Sequence, residues 1–453
     1  MSEKLTKDAL ELRDADIFPL FRKYFIPTLI GMLSVCAVTA IDGIFVGHGV
    51  GPDGIAAINI CVPIFMFVTG VGLMLGAGSA VVASIHLSHN KPKAARYHIT
   101  QAFIAGSLII ILMTIPILTF PSATGRLFGS SPTLLPMVRE YMLWFVPGEI
   151  FSMWGSLALF VIRLDGSPKY AAWCSAVMAI ANTFLDWLFI FPFGWGLMGA
   201  GFASSISVSI GGIMALVYII FFAKTLRFVR IKASWRSLRY SLRNVGYQCR
   251  VGSSGLLGEC TMAVLAFIGN VVFGRYLGDA GIGAFGIACY YSPFVFMVGN
   301  AIAQSAQPII SYNYGLGNMQ RVGNTLRIAL GTAVGCGLIV MAAFIGIPDI
   351  LVSLFVDPTT EAGRLAISGL PLFSAAFIFF IVNLTCIGYF QSIERVWHST
   401  TFALLRGLVF LVPCFLLLPQ WLGNTGIWLA LTASELLTTT VIFSTVQIQK
   451  RIS

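Results

Sequence analysis

Five acidic residues stand where acids are expensive. Asp42, Glu149, Asp186, Glu259 and Glu435 each lie well inside a long, mostly apolar stretch. A charged acid near the centre of a bilayer costs ~2.5–3.5 kcal/mol on insertion scales. Such a residue must face a polar cavity, bind a cation or hold a proton. Asn182 and Asp186 are spaced i, i+4, so a helix sets them on one face. Carboxylate and amide oxygens are hard ligands of the kind that suit Na⁺, and neighbouring carboxylates also share a proton readily, because like charges resist ionising together. The chemistry indicated is the binding of a small cation or of a proton. Covalent catalysis is not indicated, since neither a nucleophile elbow nor an HExxH motif is present. Two of the acids keep two readings. Glu149 follows "VPG" and either lines a cavity at a broken helix or packs, and Glu435 stands evenly between packing and function. Gln304 and Gln307 are further polar candidates for a substrate chamber.

The elements that must position these residues are membrane spans. The chain is 57% hydrophobic and 10% charged, against roughly 25% charged for a soluble domain, and its mean hydropathy is +0.87. Twelve stretches can each cross a bilayer as a helix, near 24–47, 55–86, 98–121, 133–162, 170–192, 197–223, 247–273, 282–311, 323–347, 362–390, 398–419 and 424–448. Several approach 30 residues, so tilted or kinked helices are expected. The first 23 residues are too acidic for a signal peptide, and Ala9–Phe25 reads as an amphipathic helix on the membrane surface. The nine Cys form no CxxC pair and read as small hydrophobes.

The net charge of +10 would suit nucleic acid, but its location excludes that partner. Sorted over alternating loops, 23 Lys and Arg fall on the side of the termini and four on the other, with Arg406 inside a span. The positive-inside rule then makes both termini cytoplasmic. The basic stretch Ala223–Gly246 contains no acid and is expected to link two halves and touch anionic lipid.

Those halves repeat. "GHGVGPDGIAAINI" from Gly47 and "GRYLGDAGIGAFGI" from Gly274 agree at Gly47/Gly274, Gly51/Gly278, Gly54/Gly281, Ile55/Ile282, Ala57/Ala284 and Ile60/Ile287, an offset of 227. Six spans per half is an even number, so the repeats are parallel and related by an axis along the membrane normal. The expected divisions are an N-terminal segment 1–23, an N-lobe 24–223, a linker 224–246 and a C-lobe 247–449. The copies part company at the acids. Asp42 faces Gly269 at this offset, and Asn182 and Asp186 face Val409 and Pro413. A duplicated scaffold keeps its packing twice, whereas chemistry need be kept once. Gly269 is accordingly expected to tolerate Ala far better than Asp42 tolerates Asn.

Four segments in order, "AIDGIFVGHGVGPDGIAAINICVPI", "IANTFLDWLFIF…GWGLMGAGFASSIS", "IAQSAQPIISYNYGLGN" and "LLRGLVFLVPCFLLLP", resemble the MATE (multidrug and toxic compound extrusion) family over nearly the whole chain. The resemblance implies an all-α integral membrane fold of twelve helices in two six-helix lobes. It implies a bacterial inner-membrane antiporter that expels amphipathic, often cationic compounds in exchange for Na⁺ or H⁺ by alternating access. It carries Asp42 to the face of Asn182 and Asp186, and puts Ser204 where a hydroxyl completes the cation site. Pro27 and Gly31 become a bending element of span one, although a static kink is the alternative. Glu259 matches an acid of some members, while its usual partner in span ten is absent and Asn383 is the strong polar group there. No cofactor beyond the coupling ion is expected, and the partners are small drugs and lipids around a monomer. The rival readings are a lipid-linked saccharide flippase, which would need cations in its cavity for pyrophosphate, and a membrane receptor or scaffold, which would have no use for five buried acids.

Overall fold

The computed structural model describes residues 7–231 and 234–452; residues 1–6 of the N-terminal segment and Lys232 of the basic loop lie outside them. Among the described residues there is no strand, and ten helices are long and apolar enough to cross a membrane. Two of these, Trp235–Gly315 and Val396–Gln447, contain one sharp reversal each, at Gly278 (φ 65°) and Gly423 (φ 55°). A residue with a side chain is strained at such positive φ and glycine is not. Each long element therefore supplies two crossings, and the total is the expected twelve.

The duplication is written into the backbone as well. Left-handed residues recur 227 positions apart at Gly51 and Gly278, Asn90 and Gly317, and Gly196 and Gly423. The short helices Pro121–Leu127 and Pro348–Ser353 both open on a proline, again 227 apart, where proline's missing N–H is no loss. The spans are Ile17–Gly49, Pro52–Ser88, Pro92–Thr119, Leu135–Leu164, Pro168–Ile190 and Gly196–Phe222 in the first half. The second half follows as 235–277, 279–315, Met319–Gly346, Glu361–Ser392, 396–422 and 424–447.

The N-terminal helix is shorter than the sequence suggests. It covers Lys7–Asp14, and span one already begins at Ile17. Ala15 and Asp16 separate the two, with Asp16 in an extended conformation (ψ 132°) at the start of span one. Leu12 is buried against protein, its carbonyl accepting a 3.0 Å hydrogen bond from Asn313 Nδ2, so this turn is docked on the protein through its apolar side. Lys23 pairs with Glu11 across the break.

By contacts the chain forms two compact units. The first holds the described residues up to Leu256 together with Ser311–Met319, and the second holds Leu257–Ile310 and the chain from Gln320 onward. In the first unit, glycines let span four approach its neighbours. A Cβ at Gly148 would lie 2.6 Å from Ser205 Cα, and one at Gly212 would lie 2.4 Å from the Phe151 carbonyl oxygen. Asp165, in the turn after span four, ties down the chain that leaves span six. Its Oδ1 accepts from the backbone N–H of Thr225 (2.9 Å) and Leu226 (3.0 Å), and its Oδ2 from Lys224 N–H (2.8 Å) and the Tyr218 hydroxyl (3.0 Å). The second unit is built around buried rings, with Phe273 stacked on Phe285 at 4.6 Å and Trp428 edge-on to Phe273 at 4.8 Å.

That aromatic core corrects one expectation. Gly269, the repeat counterpart of Asp42, has the Phe285 ring where its side chain would be, and a Cβ would fall 2.0 Å from Cζ. The position is closed by packing, so alanine is not accommodated there.

Candidate functional site

Spans one and five run side by side in a register set by two glycines. At one end a Cβ on Gly31 would touch Ala172 Cα at 3.3 Å and Ser175 Cβ at 3.4 Å. At the other end Gly49 lies against Ile190. Both partners advance by 18 residues from one glycine contact to the next, 31 to 49 and 172 to 190, so the helices are parallel and in step. Asp42 is thereby level with the turn of span five that carries Asn182 and Asp186. The carboxyl groups of Asp42 and Asp186 lie within hydrogen-bonding reach of each other. Asn182 Nδ2 donates to Asp186 Oδ2 at 3.0 Å. Two carboxyl groups so placed can share one proton. Asp42 Oδ1 and Asp186 Oδ1 are buried with no hydrogen-bond partner among the described residues. Neighbouring carboxyl groups with two unused acceptor oxygens are what a proton or a small hard cation would bind.

The other predicted residues divide clearly. Ser204 is half-buried on span six; its carbonyl accepts from the Ser207 hydroxyl at 2.9 Å, and no hydrogen bond joins its own hydroxyl to the acids among the described residues. Pro27 lies within span one, which stays helical from Ile17 to Gly49, and Gly31 is a packing contact with span five. Glu149 begins the helix Glu149–Leu164, directly after a 3₁₀ turn at Val146–Gly148 that interrupts span four. Both its oxygens are buried without a hydrogen bond of normal geometry, and the Ser152 hydroxyl is near. Tyr141, on the preceding part of span four, is within electrostatic reach of Asp42, Asp186 and Glu149 together. Sequence reasoning passed over Tyr141; its signal is a phenol in an apolar span that needs a polar neighbour. Its ring belongs to an apolar cluster with Val46, Cys61, Phe145, Ile190 and Leu197.

In the second unit the candidates form a different object. Glu435 accepts from Arg406 Nε at 2.7 Å (Oε1) and 3.0 Å (Oε2). Asn383 Nδ2 donates to Glu435 Oε2 at 2.8 Å, and Thr439 Oγ1 donates to Asn383 Oδ1 at 2.9 Å. Arg406 and Glu435 are each 1% exposed and Asn383 is fully buried. Arg406 was visible in the sequence as a lone cation inside a span, and such a residue needs an acid partner. Glu259 is buried on span seven and makes no hydrogen bond to this group among the described residues. Gln304 and Gln307 are buried in span eight.

The family model MatE matches residues 27–188 and again 256–416, once in each half. Multidrug export protein MepA of Staphylococcus aureus (strain NCTC 8325 / PS 47) is 23% identical over 431 residues, covering 93% of this chain and 91% of that protein. A FAD transporter of Shewanella oneidensis is 25% identical over 345 residues, covering 72% of this chain and 71% of that one. A solved multidrug resistance MATE family transporter of the MOP superfamily, in its outward-facing conformation, superposes with a TM-score of 0.90 at 21% identity, covering 99% of this chain and 98% of that one. With a family model matched over most of its length, once in each half, the chain belongs to the MATE family.

Proposed function

We propose that the protein exports amphipathic organic compounds, many of them cationic, in exchange for Na⁺ or H⁺ by alternating access. The observation that carries this reading is the Asp42–Asp186 carboxyl pair, held by Asn182 and left with two buried unpartnered oxygens. A buried acid pair binds a cation or a proton well and a neutral solute poorly, so it is the natural place for the driving ion. Ser204 is the oxygen ligand from span six once a cation is bound, and Pro27 is the weak point at which span one repacks. The export function agrees with MepA, named as a multidrug export protein. Against the flippase reading, Arg406 within span eleven is paired with Glu435 instead of being open to a pyrophosphate. We place the protein in a bacterial inner membrane as a monomer with both termini cytoplasmic. The exposed Arg236, Arg239 and Arg243 then face anionic headgroups while Trp235, Leu238 and Leu242 enter the interface. In cells, Asp42→Asn is expected to abolish dye efflux while leaving the amount of inserted protein unchanged, because losing a buried charge eases insertion. Normal efflux by Asp42→Asn overturns the assignment. Export confined to an anionic dinucleotide, as the FAD transporter's name would suggest, overturns the substrate class.

A further inference from the structure

We propose that Glu435, Asn383 and Phe380 form a cation site in the second unit that is permanently filled by the chain's own Arg406, so that Glu435 takes no part in handling the exchangeable ion. This rests on the antiport reading above and adds to it which of the buried acids is withdrawn from the ion.

The site has the composition of a cation receptor. Glu435 turns both carboxylate oxygens to the guanidinium, at 2.7 and 3.0 Å from Nε. The Phe380 ring covers it from one side, with Arg406 Cζ 3.8 Å from the ring centroid, and the negative face of an arene attracts a desolvated cation. Asn383 fixes the carboxylate by donating to Glu435 Oε2, while its own oxygen is held by Thr439. The occupant is brought in by a distortion of its helix. Leu405–Val409 forms a π-helical turn at Arg406, and a Cβ at the next residue, Gly407, would lie 2.1 Å from Thr261 Oγ1, so the turn is pressed against span seven. Arg406 Nη2 is buried with no partner among the described residues. A guanidinium chosen only to satisfy hydrogen bonds would not leave one nitrogen empty.

The repeat sharpens the contrast. At the offset of 227, Arg406 corresponds to Ala179 and Glu435 to Val208, so neither member of this pair has a counterpart in the first half. Conversely Asp42, Asn182 and Asp186 meet Gly269, Val409 and Pro413. The Asp42–Asp186 pair of the first unit thus has no cation hydrogen-bonded to it among the described residues, whereas Glu435 of the second unit is closed by a tethered cation and the buried Glu259, also in the chain's second half, makes no hydrogen bond to that group. A tethered cation cannot cross the membrane, so this site contributes nothing to the ion stoichiometry.

The test is chemical rescue. Purified Arg406→Ala is expected to lose roughly 10 °C in thermal midpoint, as an unpaired buried acid is left behind. Guanidinium chloride, far below denaturing concentrations, should restore most of that loss, and KCl at equal concentration should not. Arg406→Ala with Glu435→Gln should show no rescue. This readout needs no transport, so it stands or falls separately from the antiport reading. In proteoliposomes, Arg406→Met with Glu435→Met should move substrate with the wild-type number of coupling ions, because both charges leave together. No recovery with guanidinium, or a changed ion count in the double Met variant, overturns the proposal. So does an ion response in the wild type that Asp42→Asn only halves and Glu435→Gln completes.

Discussion

Consider Asp186→Asn and the competition between drug and coupling ion. With Asp42 and Asp186 ionised and cation-free, the face formed by spans one and five is electronegative and attracts a cationic drug. Protonation or Na⁺ binding cancels that charge. The two carboxyls lie together, and a drug cation seated directly on them would stand about 4 Å from their charge. One unit charge acting on another at that distance is worth about 4 kcal/mol at an effective dielectric near 20. Asp186 is buried and Asp42 half-buried, so some of this is screened by solvent. A range of about 2–4 kcal/mol corresponds to about 30- to 1000-fold in affinity. Binding of a fluorescent cationic drug to purified protein, titrated over pH with and without Na⁺, reads this directly. Wild-type affinity should fall as pH falls or Na⁺ rises. Asp186→Asn should bind drug more weakly at high pH and show a flattened dependence on both cations. Linkage requires that the drug weaken cation binding by the same factor. A wild-type affinity indifferent to pH and Na⁺, or an unchanged dependence in Asp186→Asn, refutes the reasoning.

Three further outcomes follow from the fold. Gly269→Ala should destabilise the protein by about 1–3 kcal/mol through overpacking against the stacked Phe285 ring, lowering the thermal midpoint without altering cation dependence in the folded fraction. Asp165→Ala strands three backbone N–H groups after span six and should cost about 3 kcal/mol, seen as a lower midpoint and faster proteolysis near Thr225. A cysteine at Ser234, in a background where Cys260, the exposed native cysteine, is replaced, should resist an impermeant label added outside intact cells and react in inverted vesicles; the reverse pattern places the basic loop outside.

Much of the fold was legible because the bilayer imposes it. Apolar runs of fixed length are read directly, and the 227-residue offset exposes the two halves even where helices run together at Gly278 and Gly423. The pairing of Asn182 with Asp186 was legible because it is local to one helix turn. The meeting of Asp42 with them was carried by family likeness, since it depends on the contacts of Gly31 and Gly49 with span five, which no local pattern announces. The second unit was harder. Arg406 and Glu435 are 29 residues apart on different spans, so the sequence showed a stray cation and an ambiguous acid without showing that each answers the other. Gly269 misled because the lack of an acid at a repeat position says nothing of packing, and the ring of residue 285 fills the place of its side chain. The end of the N-terminal helix was misplaced because Ile17–Phe25 has the same mixed pattern on the surface or at the mouth of a span.

The central claim is that a cation gradient acting through Asp42 and Asp186 drives export. Purified protein in liposomes loaded with a cationic dye, under a Na⁺ gradient or a pH gradient imposed separately, tests it most directly. The account predicts that at least one gradient drives dye against its own concentration, that collapsing that gradient stops the movement, and that Asp42→Asn shows none under either. Dye movement that proceeds equally with no gradient, or that persists in Asp42→Asn, would contradict it.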